Sequence, residues 1–397
     1  MFIKVISTIL SFVLMTSFAS VPNIAQPNAE ASLSYISEAD AMELANQCIA
    51  NQLNSKETTW NTSTTINETV RFYDPLGTVN AYLFRIKTEQ EKDGYIFVDA
   101  YSEFPHVQAF GYDCNFMIDE AYQKNYNEKV KTEHEIVYNN DLSFLKKEDN
   151  GKYKLVLADD YIETKESDIK AQYKKEKQRI KAEKKGLSIE PAKSNIARLS
   201  DADNVQPLAQ VVYTDKHMAG VTWNGSFNFV PFVQSDFTNV SHCAPTAATN
   251  LVYYWSCIRP GGHKPLWNGR ENALRPENTV FSMLYCGMRT DYTNGTYNNA
   301  IIPGLRAFAR ARYDDVAGSD FQTNVSWSFI TSHINASIPM IVTLGGDPIY
   351  KNHAFLCVGY QECSDGNFLR IADGWSRTIS NFYYFKGSIS GAYCVWW

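Results

Sequence analysis

Cys243 precedes Ala-Pro-Thr in the run NVSHCAPTAATNLVYYW, residues 239–255. The reactive form of cysteine is the thiolate. A helix N-terminus, a neighbouring imidazole and partial exposure each help to form it. The residues after Cys243 supply the first of these. Pro245 suits an opening helical turn, where its missing N–H costs nothing. Thr246, Ala247 and Ala248 keep that turn small, and Leu251, Tyr254 and Trp255 form an apolar stripe further along. The pattern predicts a thiol at a polar helix tip whose base is anchored in a core.

A nucleophilic cysteine needs a base delivered from elsewhere in the chain. Downstream of residue 210 the candidates are His217, His242, His263, His333 and His353. His242 adjoins Cys243, but neighbouring side chains at a helix start point apart. His333 lies in a helical pattern with Ile330 and Ile334, which suits a capped or surface residue. His353 opens HAFLCVGY, a strand entering a core directly after the polar stretch DPIYKN. A strand end exposes the imidazole while the following residues lock its backbone. A third group should orient the ring. Asp373 ends the next strand, FLRIADGW, and Trp375 is placed to shield the pair from water. An Asp before Gly also reads as a turn former. An oxyanion needs donors. The Cys243 N–H is one, and the Gln234 amide in VPFVQSDF is the side-chain candidate, with Asn239 as its rival.

The elements that must hold these residues are legible in outline. Downstream of residue 210, helical patterns come first, at 244–256, 276–288, 302–313 and 326–337. Strand patterns follow: PMIVTLGG, HAFLCVGYQE, NFLRIADGW, SNFYYFKG and GAYCVWW. Helices then an antiparallel sheet is an α+β arrangement. Nearer the start, SEADAMELANQCIANQL carries a Ser N-cap and helical spacing. Short β-branched and aromatic runs follow, broken by Pro-Leu-Gly and Asp-Gly turns, which predicts a second, smaller α+β module over residues 33–160. Residues 165–185 hold nine basic and four acidic side chains and read as a solvated helix or linker. The mixed Gly, Pro, Ser and Asp stretch after it has no periodicity, so 161–209 is assigned as a charged helix and linker, and 210–397 as the second domain.

Composition narrows the class. With 44% hydrophobic and 20% charged residues the chain can bury a core and is not wholly disordered. Residues 210–397 carry 13 basic and 12 acidic side chains, which is no nucleic-acid footprint. The apolar run VISTILSFVLMTSFA after Lys4, followed by small residues, reads as a signal peptide within residues 1–31. It is shorter than the roughly 20 residues of a spanning helix, so the expected product is exported, with no membrane span after signal removal. Export permits disulfides. Of eight cysteines, Cys48 and Cys114 lie in the first half and six in the second, and spacing does not reveal their pairing.

HCAPTAATNLVYYW, NHAFLCVGY and IADGW together resemble the papain-like cysteine peptidases, in particular the bacterial double-glycine-leader peptidase-like family with its Cys-(Gly/Ser/Ala)-Pro-Thr-Ala motif. The resemblance covers residues 222–397. It implies that Cys243 is the nucleophile, His353 the base and Asp373 the orienting group, with Gln234 standing further from the cysteine than that family's glutamine. DPLGTVNAYLFRI and DGYIFVDAYSEFPHVQAFG are similar to the pro-regions of streptopain-like peptidases. That likeness implies an inhibitory pro-domain that binds its own catalytic domain and is removed on activation.

The resulting expectation is a secreted cysteine endopeptidase made as a zymogen, acting on protein or peptide substrate and needing no cofactor or metal. Three rivals stand beside it. Cys357, Cys363 and His353 offer zinc-type ligands, but without Cys-x-x-Cys or His-Glu-x-x-His spacing. An inactive papain-like scaffold would serve adhesion or binding. A peptidoglycan amidase or acyltransferase would use the same three groups.

Overall fold

The computed structural model describes residues 35–55, 58–89, 93–100, 106–119, 136–139, 143–147, 153–156, 161–162, 166–171, 173–174, 214–217, 229–237, 241–259, 261–268, 275–291, 295–312, 314–345, 353–363, 366–385 and 389–397. The expected signal peptide and most of the expected linker lie outside them.

Ser37 starts the first helix, α1 (Glu38–Gln52), through a capping box: its hydroxyl accepts the Asp40 N–H and the Asp40 carboxylate accepts the Ser37 N–H. One face of α1 buries Ala41, Ala45, Cys48, Ile49 and Gln52. It lies over an antiparallel meander of β1 (Thr65–Tyr73), β2 (Val79–Lys87), β3 (Asp93–Asp99) and β4 (His106–Tyr112). Asp74 closes the β1–β2 turn by accepting from the Leu76 and Thr78 N–H groups, and Gly77 takes the positive φ of 87° that the turn requires.

Four short strands, β5 (Ile136–Asn139), β6 (Ser143–Lys147), β7 (Tyr153–Leu155) and β8 (Tyr161–Ile162), continue the sheet beyond β1. They join it through a parallel pairing of Tyr73 with Val137. The solvated reading of residues 165–185 is corrected where they are described. Residues 166–171 and 173–174 are helical, and Ile169 and Tyr173, four apart on one face, are both buried. Ile169 packs with Leu145 and Tyr153, and the Tyr173 hydroxyl meets that of Tyr35 at 3.1 Å. Two apolar residues at helical spacing outweigh the surrounding lysines, whose stems are free to reach solvent.

In the second half, β9 (Thr214–His217) precedes the helices α2 (Cys243–Tyr253), α3 (Lys264–Asn268), α4 (Pro276–Gly287), α5 (Ile301–Ala311) and α6 (Trp327–Asn335). Strand β10 (Gly318–Gln322) comes between α5 and α6, a position where the sequence shows no strand pattern. Then come β11 (Met340–Leu344), β12 (Ala354–Cys363), β13 (Gly366–Ala372), β14 (Asn381–Tyr384) and β15 (Ile389–Trp396). These pair in the order β10-β15-β11-β12-β13-β14, all antiparallel, with β9 alongside the far half of β12. The α2 helix packs on β11 and β12.

The sheet does not stop at β14. Asn381, Phe382 and Tyr383 pair antiparallel with Gly111, Phe110 and Ala109 of β4, so one mixed sheet runs through both halves, and residues 34–397 form one compact unit. Across this seam Phe110 stacks on Phe382 at 4.7 Å and meets Phe368 edge-on at 5.1 Å. The apolar face beneath α1 is therefore shared by β2–β4 and β13–β14.

Candidate active site

Cys243 is the first residue of α2. Two residues earlier Ser241 adopts a left-handed φ of 53°, a conformation costly for a residue with a Cβ. The His242 carbonyl accepts the Thr246 N–H at 2.9 Å. Its ring Nδ1 bonds the Thr246 hydroxyl at 3.0 Å, and the ring stands edge-on to Phe281. The neighbouring histidine is thus a packing residue. Leu251, Tyr254 and Trp255 are buried, which seats the helix as its apolar stripe requires. Asn250, also buried, holds the segment before the helix. Its Oδ1 accepts the Phe232 N–H at 2.7 Å and its Nδ2 donates to the Phe232 carbonyl at 2.9 Å.

The Cys243 thiol lies close enough to the start of β12 for the Ala354 N–H to favour its thiolate. Burial pushes the thiol above its ordinary pKa. The N–H groups of Ala354, Ala244 and Cys243 itself work in the other direction by favouring the thiolate. Ala354 directly follows His353, so sulfur and imidazole share one strand end.

His353 is buried, and its Nε2 lies 2.7 Å from the Asp373 main-chain carbonyl. A carbonyl only accepts, so Nε2 carries a hydrogen, and in the neutral ring Nδ1 then holds the lone pair of a base. Trp375 stacks on the ring, centroids 4.0 Å apart and planes within 11°, which covers one face. The β12–β13 ladder runs up to Leu356 opposite Ala372, which leaves His353 and Asp373 at the same end of adjacent strands.

The expectation for Asp373 needs correction at the level of atoms. Its carbonyl, and not its carboxylate, is what meets His353 Nε2. Oδ1 accepts the N–H groups of Trp375 (2.9 Å) and Ser376 (2.8 Å), the Ser376 hydroxyl reaches both oxygens at 3.0 Å, and Asn381 Nδ2 donates to Oδ2 at 3.0 Å. Gly374, at φ 82°, makes this tight turn possible. The side chain is committed to the turn-forming role open to any Asp before Gly. Burial raises its pKa, opposed by the donors at Ser376 and Trp375.

Gln234 begins a single 3-10 turn, Gln234–Asp236, tied to the same place. Its N–H donates to the Gly374 carbonyl at 2.7 Å, and Asp236 forms a two-pronged ion pair with Arg377. A Cβ on Gly374 would sit 3.8 Å from Gln234 Nε2 and 4.0 Å from Thr246 Cγ2. The glutamine amide therefore stands beside the first turn of α2, and no hydrogen bond occupies it among the described residues. Its rival Asn239 lies outside the described residues.

The other candidates fall elsewhere. His333 bonds the Phe329 carbonyl through Nδ1 at 2.9 Å, and His263 faces Asp314. His217 lies in β9, with its side chain outside the described residues. Cys357 donates to the Gly359 carbonyl, and burial pushes its pKa up to about 12. Cys243, Cys257, Cys286, Cys357 and Cys394 stand as free thiols. Among the described residues no three His, Cys, Asp or Glu side chains converge as a metal site. Likewise no described helix is long and apolar enough to cross a membrane. Sequence reasoning did not single out Ser376 or Asn381, since a buried polar residue opening an aromatic strand carries no chemical signature of its own.

Comparison with known proteins finds a likeness over the second half of the chain. Residues 226–391 match the model of the Peptidase_C39 like family, a span that holds Gln234, Cys243, His353 and Asp373. The match supports a papain-like domain of the cysteine-peptidase type. No curated protein matches the chain.

Proposed function

We propose that this chain is a secreted cysteine endopeptidase made as a zymogen. The observation that carries the reading is the meeting of Cys243, at a helix N-terminus, with the strand end bearing His353, whose Nε2 is held on the Asp373 carbonyl. In the proposed reaction the thiol proton passes to His353 and the sulfur attacks a peptide carbonyl carbon. The Cys243 N–H and the Gln234 amide stabilise the resulting oxyanion. The imidazolium returns the proton to the leaving amine as the C–N bond breaks, leaving a thioester. Water, deprotonated by His353, then attacks the thioester, and the thiol is restored as the acid departs.

The N-terminal module, residues 33–160, acts as the pro-domain, and cleavage of the linker between about residues 186 and 215 raises activity. Support for this part is the pro-region resemblance and the sheet contact of β4 with β14. A comparison of processed wild type with Cys243→Ala on casein and on purified cell wall tests the chemistry. Casein hydrolysis lost in the variant by a factor of at least ~10³ supports the peptidase. Turnover of cell wall alone selects the amidase, and equal inertness of both proteins selects the scaffold.

A further inference from the structure

Asn381, the first residue of β14, is 1% exposed and spends its whole amide on four partners. Nδ2 donates to Asp373 Oδ2 at 3.0 Å and to the Ser376 hydroxyl at 2.7 Å. Oδ1 accepts from the Tyr95 hydroxyl and the Cys114 thiol, each at 3.2 Å. Only an N–H can face the carboxylate, so the amide has one orientation. Asp373 and Ser376 belong to the turn whose carbonyl holds His353 Nε2. Tyr95 belongs to β3, and Cys114 follows β4, both in the N-terminal module. Gly111, opposite Asn381 across the seam, makes the approach possible: a Cβ there would lie 2.9 Å from Asn381 Oδ1 and 2.5 Å from both Cys114 Sγ and Tyr95 Cε1.

We infer that Asn381 is a positioning residue for the Cys243–His353 pair, and that through it Tyr95 and Cys114 brace the histidine from the N-terminal module. The inference rests on the cysteine-peptidase reading above. Tyr95, Cys114, Asn381, Asp373, Ser376 and His353 are all buried, so water is poorly placed to replace a lost partner. Without Asn381 the buried Asp373 and Ser376 side chains each lose a donor, and the turn relaxes to recover one. The Asp373 carbonyl moves with that turn. A shift of about 1 Å is enough to spoil the alignment of a catalytic pair. On this view linker cleavage uncovers the site while the N-terminal module stays docked through β4 and β14 as its brace.

The test follows alkylation of Cys243 by iodoacetamide against pH, read by peptide mass spectrometry. A Cys257→Ser, Cys286→Ser background removes the two exposed thiols. Wild type is compared with Asn381→Ala and Tyr95→Phe. Read after linker cleavage with both fragments retained, the expected result is a wild-type profile below that of an ordinary thiol, because His353 takes the thiol proton and offsets the burial at Cys243. In Asn381→Ala it moves up by about one pH unit, roughly tenfold slower labelling at neutral pH. In Tyr95→Phe it moves the same way by about threefold, since the second donor to Asn381 remains. A melting temperature that falls while the alkylation profile stays put makes Asn381 merely structural and overturns the inference. Should Asn381→Ala fail to fold, Tyr95→Phe decides alone, and an unmoved profile overturns it equally. An activated wild-type thiol with unmoved variants leaves the peptidase reading intact. A wild-type thiol no more reactive than cysteine in the unfolded chain removes that reading and this inference together.

Discussion

Cys243 sits where two effects oppose each other. Burial raises its pKa, and three backbone N–H groups only partly compensate. In the proposed reaction the remaining drive toward thiolate comes from the His353 imidazole, which takes the thiol proton. With His353→Ala the thiol keeps its raised pKa. Thiolate then exists only above that value and is lost as pH falls through it, so alkylation of Cys243 should move to alkaline pH and slow at neutral pH by at least about tenfold. A pH series of labelling rates checks this. Asp373 gives a second prediction. Because the main-chain carbonyl holds His353, Asp373→Asn keeps the orienting atom and most of the turn. Its kcat should fall by less than about tenfold, far short of what removal of a catalytic group costs. Steady-state kinetics beside a melting curve separates this outcome from an orienting carboxylate.

Among the elements, α2 and the strand ends of β12 and β13 hold the candidate site, and Asn250 joins the Gln234 segment to it. Asn250→Ala leaves the Phe232 N–H and carbonyl without their partner. It should cost about 2 kcal/mol and lower kcat through a loosened Gln234 with little change in KM. Denaturant unfolding and kinetics on the same protein measure both. The Asp236–Arg377 pair serves the same segment but is half exposed at Arg377, so its removal is worth under about 1 kcal/mol. Much of this unit was legible in residue order: the apolar stripe of Leu251, Tyr254 and Trp255, and strands bearing His353 and Asp373 at their ends. The choice between the Asp373 carbonyl and carboxylate was not, because it depends on the 82° φ at Gly374 and on donors that arrive from Ser376 and Asn381.

At the level of the whole chain, the β4–β14 seam couples the two halves. Cleavage in the linker leaves that ladder and the Phe110–Phe382 stack untouched. The two fragments should therefore co-elute in gel filtration after cutting. Phe110→Ala, which removes a fully buried ring at the seam, should cost about 3–5 kcal/mol and let them separate. Two separate peaks from the cut wild type would show that the seam is too weak to hold a brace in place. The shared sheet also gives the apolar residues Phe368 and Phe382 their cover, which a solitary second half would lack.

Chemistry-bearing residue types announce themselves locally: a thiol before a small, proline-bearing helical turn, an imidazole opening a buried strand, an Asp-Gly-Trp closing the next one. Helix and strand periods are local too, and most elements that carry the site could be read from them. Ile169 and Tyr173 show the limit, since a basic stretch reads as solvated until a partner surface claims its two apolar side chains. The same holds for Asn381. Its four hydrogen bonds come from β3, the residues after β4 and the turn before β14, and no spacing in the chain encodes a convergence that exists only once two distant strands have paired.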